Sequence, residues 1–321
     1  MTYGKGKYSY ELADWQANYP DGWSPMEVNA LAIDSKDRLY AFNAGEYPLT
    51  VFDRDGNLVN HWGQGFFEHN HGALIGPDDT LYYADDGNHT VNKLTLDGKV
   101  LMTLGNKGKP SDTGYTFVGE GGKQLHIMEA IYTTKRGGPP FNAPTGVALA
   151  ASGEIFVSDG YGNARVHKFT PDGNLIMSWG EPGSGPGQFI VPHAIAIDAR
   201  GRVLVADRHN NRIQIFDQEG KYLTEWDDVI LPTDIYIDQD QVVYIAELHP
   251  RLSIFDLDGN LLARWGNEGR TKEDPLFVTL HSVVADSRGD VYVAEVMGIY
   301  QGDPFLDTRK TRMIQKFTRK K

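Results

Sequence analysis

Three of the chain's 10 histidines occupy one recurring slot, and there is no cysteine. Asn43, Asp85, Asp159, Asp207, Glu247 and Glu295 each close a similar stretch of sequence. Counting back 14 positions from each gives Asn29, His71, Thr145, His193, Thr233 and His281. Histidine therefore alternates with a short polar residue. Convergent imidazoles are ligands for a divalent transition metal, and without thiolates such an ion must be held by histidine and oxygen. Three protein ligands leave a coordination position open for water or substrate, whereas closed structural zinc sites use four. Without an ion, three converging imidazoles would repel when protonated and gain little when neutral. The expected chemistry is metal-assisted, with Zn²⁺ or another divalent transition metal held by His71, His193 and His281.

The stretches just after Asp159 and Asp207, "SDGYGNAR" and "ADRHNNR", add further reactive side chains. Tyr161 near a divalent cation could act as a base, and Arg208 could hold a carboxylate or a developing oxyanion. His209 lies beside Arg208, while Arg165 and Arg212 share a repeat position where a structural task is expected. Asp85, Asp159 and Asp207 are expected to bond nearby backbone amides. Glu247 and Glu295 are longer and could instead orient a ligand histidine or reach the site.

These residues converge only if the slots do. The sequence repeats six times, in "VNALAIDSKDRLYAFN", "HNHGALIGPDDTLYYAD", "APTGVALAASGEIFVSD", "VPHAIAIDARGRVLVAD", "LPTDIYIDQDQVVYIAE" and "TLHSVVADSRGDVYVAE". Each unit continues through a third apolar run. In most units an Asp-Gly turn follows, then a run that commonly ends in Trp-Gly. Four short strands in roughly forty residues is the signature of a β-propeller blade. The fold class is therefore all-β, a single six-bladed propeller. Its blades fall at about 26–62, 66–104, 142–179, 190–226, 230–265 and 277–317. The sixth unit lacks a fourth strand, which residues 8–16 are expected to supply, with Leu12 and Trp15 echoing Leu175 and Trp179. That closes the ring and covers an open edge. The first strand of each blade lines the central channel, so the histidine column becomes a ring at one mouth, its members a third of a turn apart. Two insertions interrupt the repeats, 105–141 with an expected helix around 123–135, and 296–311.

Composition narrows the partners. With 31 Lys and Arg against 43 Asp and Glu, the net charge of -12 argues against nucleic-acid or anionic-membrane surfaces. The basic end "RKTRMIQKFTRKK" is expected to be strand plus a short solvated tail. The first residues lack the apolar core of a signal peptide, and the expected location is cytoplasmic. The expected partner is a small-molecule substrate or a peptide C-terminus.

The stretch 141–216 resembles the core of the peptidyl-α-hydroxyglycine α-amidating lyases, six-bladed propellers of NHL repeats. "SDGY-N-R", "PGQF-VPH" and "VADR-N-RIQ-F" carry the likeness. The resemblance implies a catalytic zinc on His71, His193 and His281, with Tyr161 and Arg208 in the active site. It implies cleavage of the carbinolamide C–N bond of a C-terminal α-hydroxyglycine, releasing an amide and glyoxylate. There are departures. Asn43 and Ala44 stand where the family has a second active-site arginine, which removes a clamp for the glycine-derived carboxylate. Lys135, Arg136 or Arg309 could replace it. Ser282 follows His281 in place of an aspartate that helps bind a structural Ca²⁺ in the family, which argues against that ion here. The family's disulfides cannot form. A propeller hydrolase acting on a lactone, ester or amide would use the same three histidines, and a non-catalytic NHL scaffold would need none of them.

Overall fold

The computed structural model describes residues 1–268, 275–296 and 312–320. Each repeat unit folds into one antiparallel sheet, and there are six sheets among the described residues. The blade carrying His193 is representative, with strands Pro192–Ile197, Val203–Asp207, Arg212–Phe216 and Tyr222–Trp226. The innermost strands of the blades are Val28–Ile33, Asn70–Ile75, Pro144–Leu149, Pro192–Ile197, Pro232–Ile237 and Leu280–Ala285. Each of these contacts the next around the ring, and the last contacts the first.

Each blade packs against a neighbour on both faces, so the second strands, such as Leu39–Asn43, Val203–Asp207 and Val291–Glu295, are buried along their whole length and read as nearly continuous apolar runs. The result is a separate apolar cluster at each blade interface. Between the fifth and sixth blades, for example, Tyr244, Trp265 and Phe317 pack together. The recurring tryptophan at the end of the fourth strand and the glycine of the turn before it find one physical explanation at these interfaces. Trp62, Trp179 and Trp226 each lie over the turn glycine of the following blade, at Gly98, Gly220 and Gly259. Those glycines have φ of +91°, +77° and +82°, and an added Cβ would run into the indole.

The sixth sheet contains Leu280–Ala285, Val291–Glu295 and Ile314–Arg319 from the end of the chain. Tyr8–Leu12 pairs with Ile314–Arg319 through Tyr10–Arg319, Glu11–Thr318 and Leu12–Phe317. A further strand, Thr2–Lys5, pairs with Tyr8–Leu12 and makes this sheet five-stranded. The strand ends at Leu12 rather than at residue 16. Trp15 lies beyond it, donating Nε1–H to Arg54 O at 3.0 Å and meeting Tyr292 edge-on. There it covers Gly56, the turn glycine of the first blade, as the other tryptophans cover theirs.

The insertion at 105–141 contains much less helix than expected. One α-turn, Ile127–Ala130, continues into a 3₁₀ turn, Ile131–Thr133, after an isolated 3₁₀ turn at Glu120–Gly122. A reciprocal cap starts the α-turn: His126 Nδ1 accepts from Met128 N, and Glu129 accepts from His126 N. Thr133 and Thr134, followed by Gly137, Gly138 and two prolines, cannot continue it. The expected insertion at 296–311, with Arg309, lies outside the described residues apart from Val296. No described helix is long and apolar enough to cross a membrane.

Candidate metal centre

The histidine column sits on a ring of β-bulges. In every blade the register between first and second strands slips at the column. Pro192 pairs with Asp207 and Ala194 with Ala206, which leaves His193 as the extra residue. The same slip isolates Thr145, Thr233, His281 and Asn29, and it falls between Asn70 and Ala73 in the blade of His71. A bulge turns its side chain away from the sheet normal, here towards the mouth of the channel.

The column residues then bond from blade to blade. Asn29 Nδ2 donates to Asn70 O (2.8 Å), His71 Nδ1 to Thr145 O (2.8 Å) and Thr145 Oγ1 to Pro192 O (2.8 Å). His193 Nδ1 donates to Thr233 O (2.6 Å), Thr233 Oγ1 to Leu280 O (3.0 Å) and His281 Nδ1 to Asn29 O (2.6 Å). The belt closes on itself with a bond at every blade interface. The short polar residues of the odd blades thus supply the carbonyls that orient the histidines.

This belt decides the tautomers. Each Nδ1 faces a carbonyl oxygen and must carry the proton, so each Nε2 presents a lone pair. The three rings are buried, at 4%, 1% and 6% exposure for His71, His193 and His281. Their centroids are 4.6–5.0 Å apart. Burial holds the His71 and His193 imidazoles well below the usual range, with His281 and Arg208 respectively the next contributors. Burial also lowers His281 to about 4. The imidazoles are therefore neutral across the physiological range.

The Tyr161 hydroxyl lies 3.0 Å from both His71 Nε2 and His193 Nε2 and accepts from Arg208 Nη1 at 3.3 Å. One phenolic proton cannot satisfy two lone pairs. Neutral nitrogen donors, aligned by their far sides and short of protons, form a set that a cation would complete. The ligand atoms of the three histidines lie within 4.8 Å of one another. Tetrahedral zinc with Zn–N of ~2.0–2.1 Å needs N–N separations of about 3.4 Å, so modest ring movements suffice. This buried group could hold a metal ion.

Arg208 is 2% exposed, its guanidinium 5.1 Å from the Tyr161 ring centroid, and its Nε donates to His209 Nδ1 at 3.3 Å. Burial and Arg208 push His209 down to about 3. Burial raises Tyr161, and the Arg208 charge opposes that shift. At the rim, His69 Nδ1 meets Asp86 Oδ1 at 2.5 Å, which lifts His69 to about 9.

Other candidates fall elsewhere. Asp85, Asp159 and Asp207 accept from backbone amides at Glu68 and His69, at Asn142 and Ala143, and at Ile190. Glu247 and Glu295 do the same, with Ile230 N and with Val278 N and Thr279 N, so neither orients a histidine. The added methylene is taken up within the blade, where Glu247 also reaches Ser253 and Arg251. Arg212 bonds Asp207, and Arg165 bonds Ser178 O, both structural. Arg136 pairs with Asp112. With Lys135 it lines a surface cleft against Arg165 and Glu181, not the histidine pocket, so neither replaces the missing arginine. Asn43 spends its side chain on Gly45 N and Tyr47 O.

Above the histidines is a cavity of about 180 Å³, walled by Glu27, Asn29, Tyr161, Arg208, His69 and Val296 and by His126–Met128 of the insertion. Repeat counting could not find His126–Met128, which lie outside the repeats. His69 was visible only as the first histidine of "HNH". Below the ring a channel of about 230 Å³ runs between apolar inner strands, with Asp234 the one carboxylate among its described lining.

The NHL repeat family model matches residues 141–169 and 189–216. Peptidyl-glycine alpha-amidating monooxygenase of Mus musculus is 30% identical over 257 residues, 68% of this chain and 24% of the mouse protein. A probable peptidyl-alpha-hydroxyglycine alpha-amidating lyase of Caenorhabditis elegans is 33% identical over 193 residues, 59% of this chain and 47% of that protein. The chain therefore matches between about a quarter and a half of the length of these relatives. Virginiamycin B lyase from Staphylococcus aureus is similar in fold, with a TM-score of 0.56 at 13% identity over 89% of this chain and 82% of that one. The chain is a six-bladed β-propeller with NHL repeats whose sequence resembles the peptidyl-α-hydroxyglycine α-amidating lyases.

Proposed function

We propose that this protein is a metal-dependent lyase that cleaves the C–N bond of an α-hydroxyamide, releasing an amide and an aldehyde such as glyoxylate. The observation that carries this reading is the convergence of three oriented Nε2 lone pairs beneath the Tyr161 hydroxyl. The similarity to amidating lyases supports the reaction class. His71, His193 and His281 would hold the ion, with zinc the best match to neutral imidazoles in a three-ligand set. A bound divalent ion supplies Lewis acidity that lowers the pKa of the substrate hydroxyl.

The chain's own groups manage the proton and the charge. In R–CO–NH–CH(OH)–R′ the hydroxyl proton must leave as the C–N bond breaks, and the departing nitrogen must gain one. The Tyr161 phenol stands where it can give its own proton to the departing nitrogen and take the hydroxyl proton in its place, so the reaction balances without water. Arg208, within hydrogen-bond reach of the phenol, stabilises negative charge on that oxygen during the transfer. Burial of both groups keeps this charge interaction unscreened.

Two measurements test the proposal. Purified protein should contain close to one zinc or similar ion per chain, lost when His71, His193 or His281 is changed to alanine. Offered a carbinolamide, the protein should release aldehyde and primary amide in equal amounts. A carboxylic acid product would instead establish hydrolysis, and a metal-free protein would remove the basis of the proposal.

A further inference from the structure

The insertion is docked firmly onto the loop that carries Tyr161. Thr113 Oγ1 donates to Gly162 O, Gly138 N donates to Asn163 Oδ1, and Asn163 Nδ2 donates back to Gly138 O. Gly162 permits this approach, since a Cβ there would collide with the Asn142 side chain. Ile131 packs with Tyr161, Ala143 and Val191 in a small apolar cluster that Ile127 joins. Through these contacts the α-turn Ile127–Ala130 is fixed above the histidines, and its first residues face the cavity.

Three side chains form this wall. Ile127 and Met128 are only half-buried, although they are apolar and line the cavity together with Val296. His126 is held by its own cap: its Nδ1 accepts from Met128 N, so the neutral ring carries its proton on Nε2. These three residues add apolar surface and one hydrogen-bond donor, whereas the charged lining of the cavity, Glu27, His69 and Arg208, comes from the propeller and not from this wall. Such a surface gains by covering an apolar body and pairing with one acceptor, and gains nothing from an ionised one.

We propose that His126, Ile127 and Met128 form a specificity wall, selecting substrates that carry a neutral, apolar organic group beside the metal-bound function. This rests on the reading of the histidine cluster as a metal centre acting on an amide, and it names the kind of amide. Methionine suits the position, because its flexible thioether adapts to flat and branched groups alike.

The test uses hydroxamates, which bind metal centres without requiring lyase chemistry. Zinc-loaded protein is titrated calorimetrically with acetohydroxamate and with benzohydroxamate. The expected result is tighter binding of benzohydroxamate by about tenfold or more, as burial of a ring against methionine implies. Met128→Ala should cut that ratio about five- to tenfold, leaving acetohydroxamate affinity and metal content unchanged. Met128→Trp should exclude benzohydroxamate while still admitting acetohydroxamate. An unchanged ratio in both variants, or binding of neither compound by the zinc-loaded protein, overturns the wall. Separately, aldehyde release is measured from N-benzoyl and N-acetyl carbinolamides. A ratio that responds while neither carbinolamide is turned over would leave the wall standing and defeat the lyase reading. Turnover with an unresponsive ratio would do the reverse.

Discussion

Tyr161 and Arg208 touch one another, yet their substitutions should fail differently. Tyr161→Phe removes one oxygen from a site whose three ligand nitrogens remain, so metal should be retained. Its kcat should fall roughly 10²–10⁴-fold, the usual worth of positioned acid–base help. Arg208→Ala should raise KM as well as lower kcat, because its charge acts on the ground state too. Steady-state kinetics on metal-matched samples separates the two, and a fully active Tyr161→Phe protein would reassign the proton transfer. Asp234 allows a pH prediction at the same scale. Burial lifts its carboxyl to about 6 from the ordinary 3.8, although Ser282 Oγ, Val283 N and Ile235 N donate to it. The folded state therefore binds the proton more tightly than the unfolded one. Stability from this group is present at low pH and is lost as pH rises through about 6. Asp234→Asn cannot titrate, so the stability of the parent relative to the variant should increase from pH 8 to pH 5. The change is about 1.4 kcal/mol, the worth of the one pH unit that separates pH 5 from the folded value, read from denaturant melts at the two pH values. A difference that does not vary with pH would show that the half-buried Asp234 carboxyl is not desolvated in the channel.

Between residue and fold stands the belt of bulges. Histidine and short polar residue alternate because each does half of one task. The histidine brings an Nε2 lone pair to the mouth and donates to the next blade. The odd-blade residue offers its backbone carbonyl to that histidine and ties itself onward by its side chain. Thr233 shows the economy of this, with its one hydroxyl proton shared between Leu280 O and Ala246 O, each 3.0 Å away, while its own carbonyl holds His193. Thr233→Val keeps the shape and leaves those buried carbonyls without the hydroxyl. It should cost about 1–3 kcal/mol in stability and weaken metal binding roughly 10–100-fold, as loss of supporting hydrogen bonds does elsewhere. Competition with a chelator measures the second effect. Unchanged affinity would mean that the belt holds the blades together without tuning the ligands. The alternation was legible in the sequence, whereas the belt was not. Its acceptors are all main-chain carbonyls, identical at every residue and therefore silent in a string of side chains.

At the scale of the molecule, both ends of the chain meet in the sixth sheet. The pairing of Tyr8–Leu12 with Ile314–Arg319 and the seating of Trp15 on Gly56 join that sheet to the first blade. Deleting residues 1–16 would expose one long strand edge and uncover Tyr244, Trp265 and Phe317, which Tyr3 and Tyr10 help to bury. The melting temperature should drop by well over ten degrees, since several aromatic contacts worth ~1 kcal/mol each and a strand's burial are lost together. A melt that matches the intact chain would show that the ring does not depend on this closure.

Six repeats, their strand periodicity and the slot shared by His71, His193 and His281 were all determined by the sequence alone. Each is written in side-chain type and spacing, and a repeat fold converts equal spacing into equal position. Tyr161 and Arg208 were likewise legible, because they follow the second strands at the same mouth. The tertiary structure decided what spacing cannot encode. Glu247 and Glu295 turned inward to their own blades because unpaired amides lay within reach. Lys135 and Arg136 went to a separate cleft beside Arg165 and Glu181, because Gly138 next to them is tied to Asn163 rather than to the histidine mouth. His126, Ile127 and Met128 arrived over the histidines from outside the repeats. No internal copy predicted their place, and only the docking of one unique segment on one unique loop could fix it.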